Sequence, residues 1–103
     1  MPMQARVTQF RILPGKLDEF AAAVESMVPL AHEQTGFRGF IVLRSDTAGK
    51  PETQVISLWS SLEDMRHSER NVYFYQAITR LLSCSEGFPV IREHEVLISD
   101  FNL

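Results

Sequence analysis

The sequence predicts an α+β protein with a ferredoxin-like β-α-β-β-α-β order, in which a four-stranded antiparallel sheet carries its helices on one face. Three observations predict this fold. The spacing of apolar residues alternates between the period of a strand and that of a helix in that order. Turn residues separate these segments, and the 103 residues match one domain of common size. The expected organisation is therefore a single domain over residues 1–103.

The first half of the chain predicts a strand, a helix and a second strand. Residues 4–13 are rich in Val, Thr, Phe and Ile, and a Pro-Gly pair ends this strand. From residue 16 apolar residues recur three and four positions apart, as on one face of a helix, and Gly36 ends that helix. Pro29 should kink or locally break it. Residues 37–44 then form the second strand.

The second half predicts a hairpin, a broken helix and a last strand. Residues 45–51 form a polar turn of hairpin type, and residues 53–59 form the third strand. The two serines that follow each precede an acidic residue by three positions, which is typical of a helix start. An all-polar run interrupts the apolar stripe near residues 68–71, so we expect a short helix, a break and a longer helix. The last strand covers residues 90–98.

Strands two and three carry apolar side chains on both faces. In strand two, Phe40 and Val42 lie on one face and Ile41 and Leu43 on the other. In strand three, Val55 and Trp59 lie on the face opposite to Ile56 and Leu58. Helices on one side of the sheet leave the second apolar face without a cover. The pattern therefore predicts a homodimer that packs through this sheet face. The alternative is that short, twisted strands leave these residues only half exposed.

Composition narrows the partners and the compartment. A net charge of −3 gives no basic footprint, which disfavours nucleic acid and anionic membrane surfaces as partners. No apolar run approaches the roughly 20 residues that span a bilayer, and the N-terminus does not resemble a signal peptide. The expected location is the cytoplasm. The single cysteine, Cys84, lies in an apolar helical stretch and is expected to be a small buried hydrophobe.

Few residues point to a particular chemistry. The three histidines lack metal-ligand spacing, so no metal site is predicted. His67 would lie on the inward helix face if that helix were continuous, and would otherwise be a surface residue. Trp59, which ends the third strand, is either a core residue with a paired ring N–H or a platform for a flat ligand. No serine or cysteine is tied by spacing to a histidine as a nucleophile.

Two tyrosines and two arginines complete the candidates. Tyr73 and Tyr75 point to different faces of their helix, so at most one joins Trp59. Arg38 and Arg11 stand in strands that are otherwise apolar. Each arginine either pairs with a glutamate of the last strand or holds an anionic group of a ligand.

Three segments resemble antibiotic biosynthesis monooxygenase domains of the dimeric α+β barrel superfamily. Glu52 to Met65 is similar to their third strand, its closing Trp-Ser and the acidic helix start. His32 to Phe37 resembles the turn before their second strand, and Asn71 to Phe74 resembles the segment after their helix break. The likeness in element order covers roughly residues 5–98.

The resemblance implies a homodimer with a pocket between each sheet and its helices. It also implies oxidation of an electron-rich aromatic phenol or quinol by molecular oxygen, without a metal or flavin cofactor. Other proteins of this fold bind small ligands without catalysis, which is the alternative. A haem-degrading branch is less favoured, because it has an asparagine in the first strand where this chain has Thr8 or Gln9.

The resemblance also implies roles for individual residues. By position Trp59 matches the family's pocket tryptophan. The family's helix histidine falls nearer Ser68 than His67, and this displacement by one residue turns the side chain by about 100°. The candidate catalytic residues are Trp59 and His67. The candidate substrate-binding residues are Arg38, Asn71, Tyr73, Phe74 and Tyr75.

Overall fold

A computed structural model describes residues 2–47 and 49–103 of the chain. The strands are β1 (Gln4–Arg11), β2 (Phe37–Thr47), β3 (Lys50–Trp59) and β4 (Val90–Glu95). The helices are α1 (Leu17–His32), α2 (Leu62–Ser68) and α3 (Val72–Ser83). All strand pairs are antiparallel, in the order β2-β3-β1-β4. The predicted ferredoxin-like α+β fold is confirmed.

The sheet has one covered face and one open face, because its side chains alternate. β1 pairs with β3 so that Arg6 lies opposite Ser57 and Thr8 opposite Val55, and all four face the helices. The core between sheet and helices joins buried residues of β1, α1, β3 and α3. Its members are Phe10, Ile12, Phe20, Ala23, Val24, Val55, Leu81 and Cys84. The prediction that Cys84 is a buried hydrophobe is confirmed.

The break between the second and third helices is also confirmed. Ser61 is the N-cap of α2, and its hydroxyl accepts a hydrogen bond from the Asp64 amide at 3.1 Å. α2 ends at Ser68, and α3 begins only after Asn71. The break fixes which residues of this region face the sheet, since two short helices need not share one stripe.

Four predicted details are wrong. β2 and β3 continue through most of the segment 45–51, so the hairpin turn is far shorter, and Ala48 lies outside the described residues. α1 runs through Pro29 without the predicted local break, and a kink there stays a prediction; Pro29 is exposed, so water can satisfy the carbonyl that loses its partner. β1 ends at Arg11 and β4 at Glu95, where the regular ladders stop; beyond them only isolated backbone hydrogen bonds follow, from Ile12 to Pro51 at 3.1 Å and from Val96 to Met3 at 2.8 Å.

Gly36 fixes the approach of α2 to the start of β2. Its backbone has φ +80°, which other residues rarely adopt, and a Cβ atom here would overlap the Asp64 side chain. Its carbonyl accepts a hydrogen bond from the Ser60 amide at 2.7 Å. Glycine is therefore required at this position for both conformation and space.

Candidate functional site

The candidate site is a small cavity between the covered face of the sheet and helices α1 and α3. Its volume is about 30 Å³, which is room for a water molecule or two but not for an aromatic ring. Apolar side chains form most of its wall, and a few polar groups gather at one end. The lining residues are Arg6, Thr8, Phe10, Met27, Phe40, Val55, Ser57, Tyr73, Phe74, Ile78 and Leu81.

The lining follows from two periodicities in the sequence. β1 contributes every second residue from Arg6 to Phe10, because alternate side chains of a strand share a face. α3 contributes Phe74, Ile78 and Leu81, which follow one another at spacings of four and three, together with Tyr73 beside Phe74. The cavity is therefore built on regular elements and not on loops.

Arg6 is a buried cation at the polar end. Its relative exposure is 6%, and its Nη1 donates a hydrogen bond to Glu69 Oε1 at 2.8 Å. The guanidinium carbon lies 4.8 Å from the centroid of the Phe74 ring and 5.6 Å from that of Trp59. Both distances are in the range of cation–π attraction. A charged group so enclosed is costly unless it is paired, and Glu69 and the two rings compensate for it.

Tyr73 supplies a neutral hydroxyl beside this cation. Its burial raises the pKa of the phenol above the ordinary value of 10.0, and the neighbouring Ser68 hydroxyl and Arg6 guanidinium oppose that effect. Near neutral pH Tyr73 is therefore protonated and can donate its O–H. It is a hydrogen-bond donor and not a base under these conditions.

Trp59 and His67, the predicted catalytic residues, lie outside the cavity wall. Trp59 is fully buried, packs against Phe37 with 5.4 Å between ring centroids, and donates its indole N–H to Ser57 Oγ at 2.9 Å. It supports Arg6 and Ser57 from behind. His67 is exposed on the outer side of α2, because the helix break undoes the count that placed it inward. Ser68 is the buried residue of that turn.

The predicted substrate-binding residues divide between the cavity and the surface. Tyr73 and Phe74 line the cavity. Tyr75 is 60% exposed on the other side of α3, so the two tyrosines do face different ways. Asn71 donates a hydrogen bond to Gln34 Oε1, and Arg38 donates from Nε to Ser60 Oγ at 2.9 Å.

The predicted pairing of Arg11 and Arg38 with glutamates of the last strand is wrong. Arg11 lies 4.0 Å from Glu52, its neighbour across the β1–β3 ladder. Glu93 pairs with Arg66 of α2 at 2.9 Å. The strand order decides this for Arg38, because β2 lies at the edge of the sheet remote from β4. Arg11 lies on β1 beside β4, but Glu93 is opposite Arg6 and the β1–β4 ladder ends at Gln9, short of Arg11.

Arg6 is the site residue that sequence reasoning missed. The available signal was its phase: it precedes Phe10 by four residues on the same face of a strand whose other inward residues are uncharged. An arginine in phase with the core side chains of a strand indicates a buried charge. Arg11 is out of that phase and is exposed.

A surface groove between α1 and α3 adjoins the cavity. It has a volume of about 160 Å³ and shares Met27 and Tyr73 with the cavity wall. Arg80 and Ser26 bridge its two helices through a hydrogen bond of 2.8 Å. Met27 and Tyr73 thus border both the cavity and the groove.

Residues 2–47 and 49–103 contain neither a metal-binding group of side chains nor a membrane-spanning helix. No group of three or more His, Cys, Asp or Glu side chains is placed to hold a metal ion. No helix in this part of the chain is both long enough and apolar enough to cross a membrane.

Comparison with known proteins identifies a family and a fold. The model of the family "Antibiotic biosynthesis monooxygenase" matches residues 3–80. No curated protein matches the chain in sequence.

Several solved structures share the fold at low sequence identity. A mutant of SnoaB from Streptomyces nogalater, a cofactor-independent oxygenase, is 16% identical with TM-score 0.81, over 96% of this chain and 97% of that one. A candidate antibiotic biosynthesis monooxygenase from Bordetella bronchiseptica is 20% identical with TM-score 0.81, over 95% and 100%. Another candidate from Caulobacter crescentus is 21% identical with TM-score 0.79, over 94% and 92%.

Proposed function

Because this chain belongs to the antibiotic biosynthesis monooxygenase family, we propose that it oxidises an aromatic phenol or quinol with molecular oxygen and without a bound metal or flavin. The observation that carries the proposal is the cavity between sheet and helices, which is apolar along most of its wall and rich in donors at one end. Such a site suits a flat ring that bears one or two hydroxyl groups.

The reaction balances with the substrate as the reductant. The bound phenol loses a proton and becomes a carbanion-like phenolate, which passes electrons to oxygen and forms a carbon–oxygen bond at a ring carbon. One oxygen atom remains on that carbon as a carbonyl. The other leaves as water with the two hydrogens that the substrate loses. The protein then has to bind the ring, exclude water and stabilise the anion.

An aromatic ring fits in the site only if the cavity opens. The cavity volume of about 30 Å³ is too small, whereas the groove that also borders Met27 and Tyr73 measures about 160 Å³. Rotation of these two side chains would join the two spaces, and a cavity of roughly 150 Å³ is enough for a benzene ring. In this proposal a substrate passes between α1 and α3 and displaces the Met27 and Tyr73 side chains.

We assign the predicted site residues by their position relative to this space. Tyr73 and Phe74 contact the ring, and Trp59 holds the polar end in place from the core. His67, Arg38, Asn71 and Tyr75 do not reach the cavity, so the proposal gives them no contact with the substrate.

The proposal includes a homodimer formed through the open face of the sheet. Ile41 and Leu43 are 41% and 47% exposed there, beside the half-buried Ile56 and Leu58. The segment after β4 adds four more exposed apolar side chains. They are Leu97, Ile98, Phe101 and Leu103. A second copy of the chain would cover this surface and leave each cavity on the outer side of its own sheet.

Oxygen uptake tests the reaction. Purified, metal-free protein is mixed with a panel of anthrones and naphthohydroquinones, with a protein-free blank for each compound. We expect uptake well above the blank for at least one compound, with one oxygen atom from labelled O₂ in the product. A matched pair of variants locates the site: Tyr73→Phe lowers the rate, whereas Tyr75→Phe, two residues away on the exposed side, leaves it unchanged.

Uptake no faster than the blank across the panel would contradict the proposal. Saturable binding of the same aromatic compounds, with no product formed, would then assign the cavity to ligand binding alone. Haemin titration tests the less favoured haem-degrading alternative. An absorbance change that Tyr73→Phe abolishes and Tyr75→Phe does not would support that alternative.

A further inference from the structure

We propose that Arg6 makes the polar end of the cavity a subsite for an anionic oxygen on an aromatic ring, so that the protein binds the ionised form of its ligand in preference to the neutral form. The inference deepens the proposed function, with which it shares the cavity. It adds a residue and a preference for charge that the family match does not supply.

Arg6 has hydrogen-bonding capacity that the protein does not use. A guanidinium carries five N–H donors and stays charged at every accessible pH. Within residues 2–47 and 49–103 the one short side-chain hydrogen bond of Arg6 runs from Nη1 to Glu69 at 2.8 Å, and the Tyr73 hydroxyl is a second, weaker partner. The residue is nevertheless 6% exposed and lines the cavity. Donors on a buried cation that face an open space are a site for an acceptor oxygen.

Two aromatic rings hold the Arg6 guanidinium in place. Phe74 and Trp59 attract the guanidinium through their ring faces, which do not consume its N–H donors in the way that a carboxylate does. Trp59 is itself fixed by its hydrogen bond to Ser57. The charge is therefore positioned before any ligand arrives, and its remaining N–H groups stay available.

The hydroxyl groups of Tyr73 and Ser57, beside Arg6, are hydrogen-bond donors as well. Tyr73 keeps its proton near neutral pH, as its raised pKa shows. Ser57 accepts a hydrogen bond from the Trp59 indole, which leaves its own O–H free to donate. Three donors at one end of an apolar cavity complement an oxygen that carries negative charge. A neutral hydroxyl on the ligand would compensate the positive charge of Arg6 less well than an ionised oxygen.

Glu69 is the carboxylate bonded to Arg6 and is therefore the group with which an anionic ligand competes. Glu93, opposite Arg6 across the β1–β4 ladder, is engaged by Arg66. Glu69 stands in the segment between α2 and α3, and its side chain is 33% exposed, against 7% for Arg6. Its carboxylate can turn into water when a ligand oxygen takes its place on Arg6. A purely structural ion pair is the rival explanation, and it predicts no preference between ionised and neutral ligands.

The test uses 4-nitrophenol, whose ionised form absorbs in the visible range, with 4-nitroanisole as a neutral ring of similar shape. Each is titrated into the wild-type protein, Arg6→Gln and Arg66→Gln. Arg66 is an exposed arginine that also pairs with a glutamate, so it controls for the loss of one positive charge. We expect the wild-type protein to lower the pKa of bound 4-nitrophenol by about one unit or more, as a close opposite charge does.

The variants separate the inference from the rival explanation. Arg6→Gln should abolish the lowered pKa of the probe while 4-nitroanisole still binds, and Arg66→Gln should behave as wild type. Glu69→Gln should tighten 4-nitrophenol binding several-fold, because the competing carboxylate is gone. This last variant keeps Arg6 in place and so guards against an Arg6→Gln protein that does not fold.

An unchanged pKa of the probe on the wild-type protein would overturn the inference. An equal shift in Arg6→Gln, or weaker binding of 4-nitrophenol to Glu69→Gln, would do so too. The result is separable from the proposed function. Oxygen uptake without a lowered probe pKa would remove only the anion subsite, and a lowered pKa without oxygen uptake would remove only the oxygenase.

Discussion

The two faces of the sheet are similarly apolar and yet are built for different contacts. On the helix-covered face the central side chains are buried, and the buried charge among them, Arg6, is held by Glu69 and two aromatic rings. On the open face Ile41 and Leu43 are almost half exposed, and no helix covers them. Position in the strand alternation, and not hydrophobicity, decides which residues serve which face.

The difference separates ligand recognition from protein recognition. A cavity with few, fixed polar groups selects a small molecule by the placement of those groups. A wide apolar surface without buried polar groups binds another apolar surface of complementary shape. In a twofold dimer the same surface of a second copy of the chain provides that complement. Each of the following predictions acts on one face and leaves the other intact.

The largest effect is expected from Trp59→Ala on the covered face. The side chain is fully buried against Phe37 and behind Arg6, so its removal leaves a large void. We expect a loss of about 3–5 kcal/mol in the free energy of unfolding, measured by urea denaturation. Phe88→Ala, at a residue 92% exposed, should change it by less than about 0.5 kcal/mol. Similar losses for both variants would contradict the assignment of Trp59 to the core.

On the open face, Ile41→Lys should dissociate the proposed dimer. The residue is 41% exposed in one protomer, so the lysine is tolerated in the monomer but would be buried without a partner at the interface. We expect weaker association by about 2 kcal/mol or more, which is roughly a thirtyfold rise in the dimer dissociation constant. Sedimentation velocity measures it.

The control for that prediction lies on the other side of the molecule. Val72, at the start of α3, is 69% exposed, and Val72→Lys should leave the mass in solution unchanged. A monomeric wild-type protein, or an Ile41→Lys protein that sediments like the wild type, would refute the interface.

A smaller effect is expected at the wall between the cavity and the groove. Met27→Ala shortens one of the two side chains, Met27 and Tyr73, that border both the cavity and the groove. Aromatic ligands should therefore associate several-fold faster in stopped-flow measurements. Leu30→Ala is the matched control, because Leu30 lines the groove but not the cavity. Equal association rates for the wild type and Met27→Ala would show that ligands do not pass between α1 and α3.

The smallest effect concerns Glu93 at the exposed edge of the covered face. Its hydrogen bonds with Arg66 lower the pKa of the carboxyl below the ordinary value of 4.5. The folded state therefore gains stability from the ionised form above that pH, and the gain is lost as the pH falls through the lower value. Urea denaturation should show a small advantage of wild type over Glu93→Gln at pH 6 that disappears in acid. An advantage that grows in acid would contradict the pairing.

Much of the fold could be predicted because local signals agree with the tertiary structure. Ser61 caps α2, the polar run marks the break before α3, and the strand alternation separates Ile41 from Val42. The strands of the β2–β3 hairpin were predicted too short, because polar residues such as Ser45 and Asp46 extend an edge ladder where side chains face water.

The site was harder to predict because it depends on pairings between distant segments. Tyr73 and Phe74 were selected from the sequence, but Arg6 was not, since its partner Glu69 lies 63 residues away. Arg38 was selected because its strand is otherwise apolar, and His67 because a continuous helix would turn it inward. Neither lines the cavity. The strand phase of Arg6 marks it as a buried charge, whereas the strand order and the helix break show that it lines the cavity and that Arg38 and His67 do not.

The central claim is that small aromatic ligands occupy the covered face and not the open one. Its most direct test is a ¹⁵N-labelled NMR titration with 1,4-naphthohydroquinone under anaerobic conditions, which prevent turnover. The account predicts that amide shifts concentrate at Arg6, Thr8, Ser57, Tyr73 and Phe74. Shifts concentrated at Ile41, Leu43, Ile56 and Leu58, with those cavity residues unmoved, would contradict it.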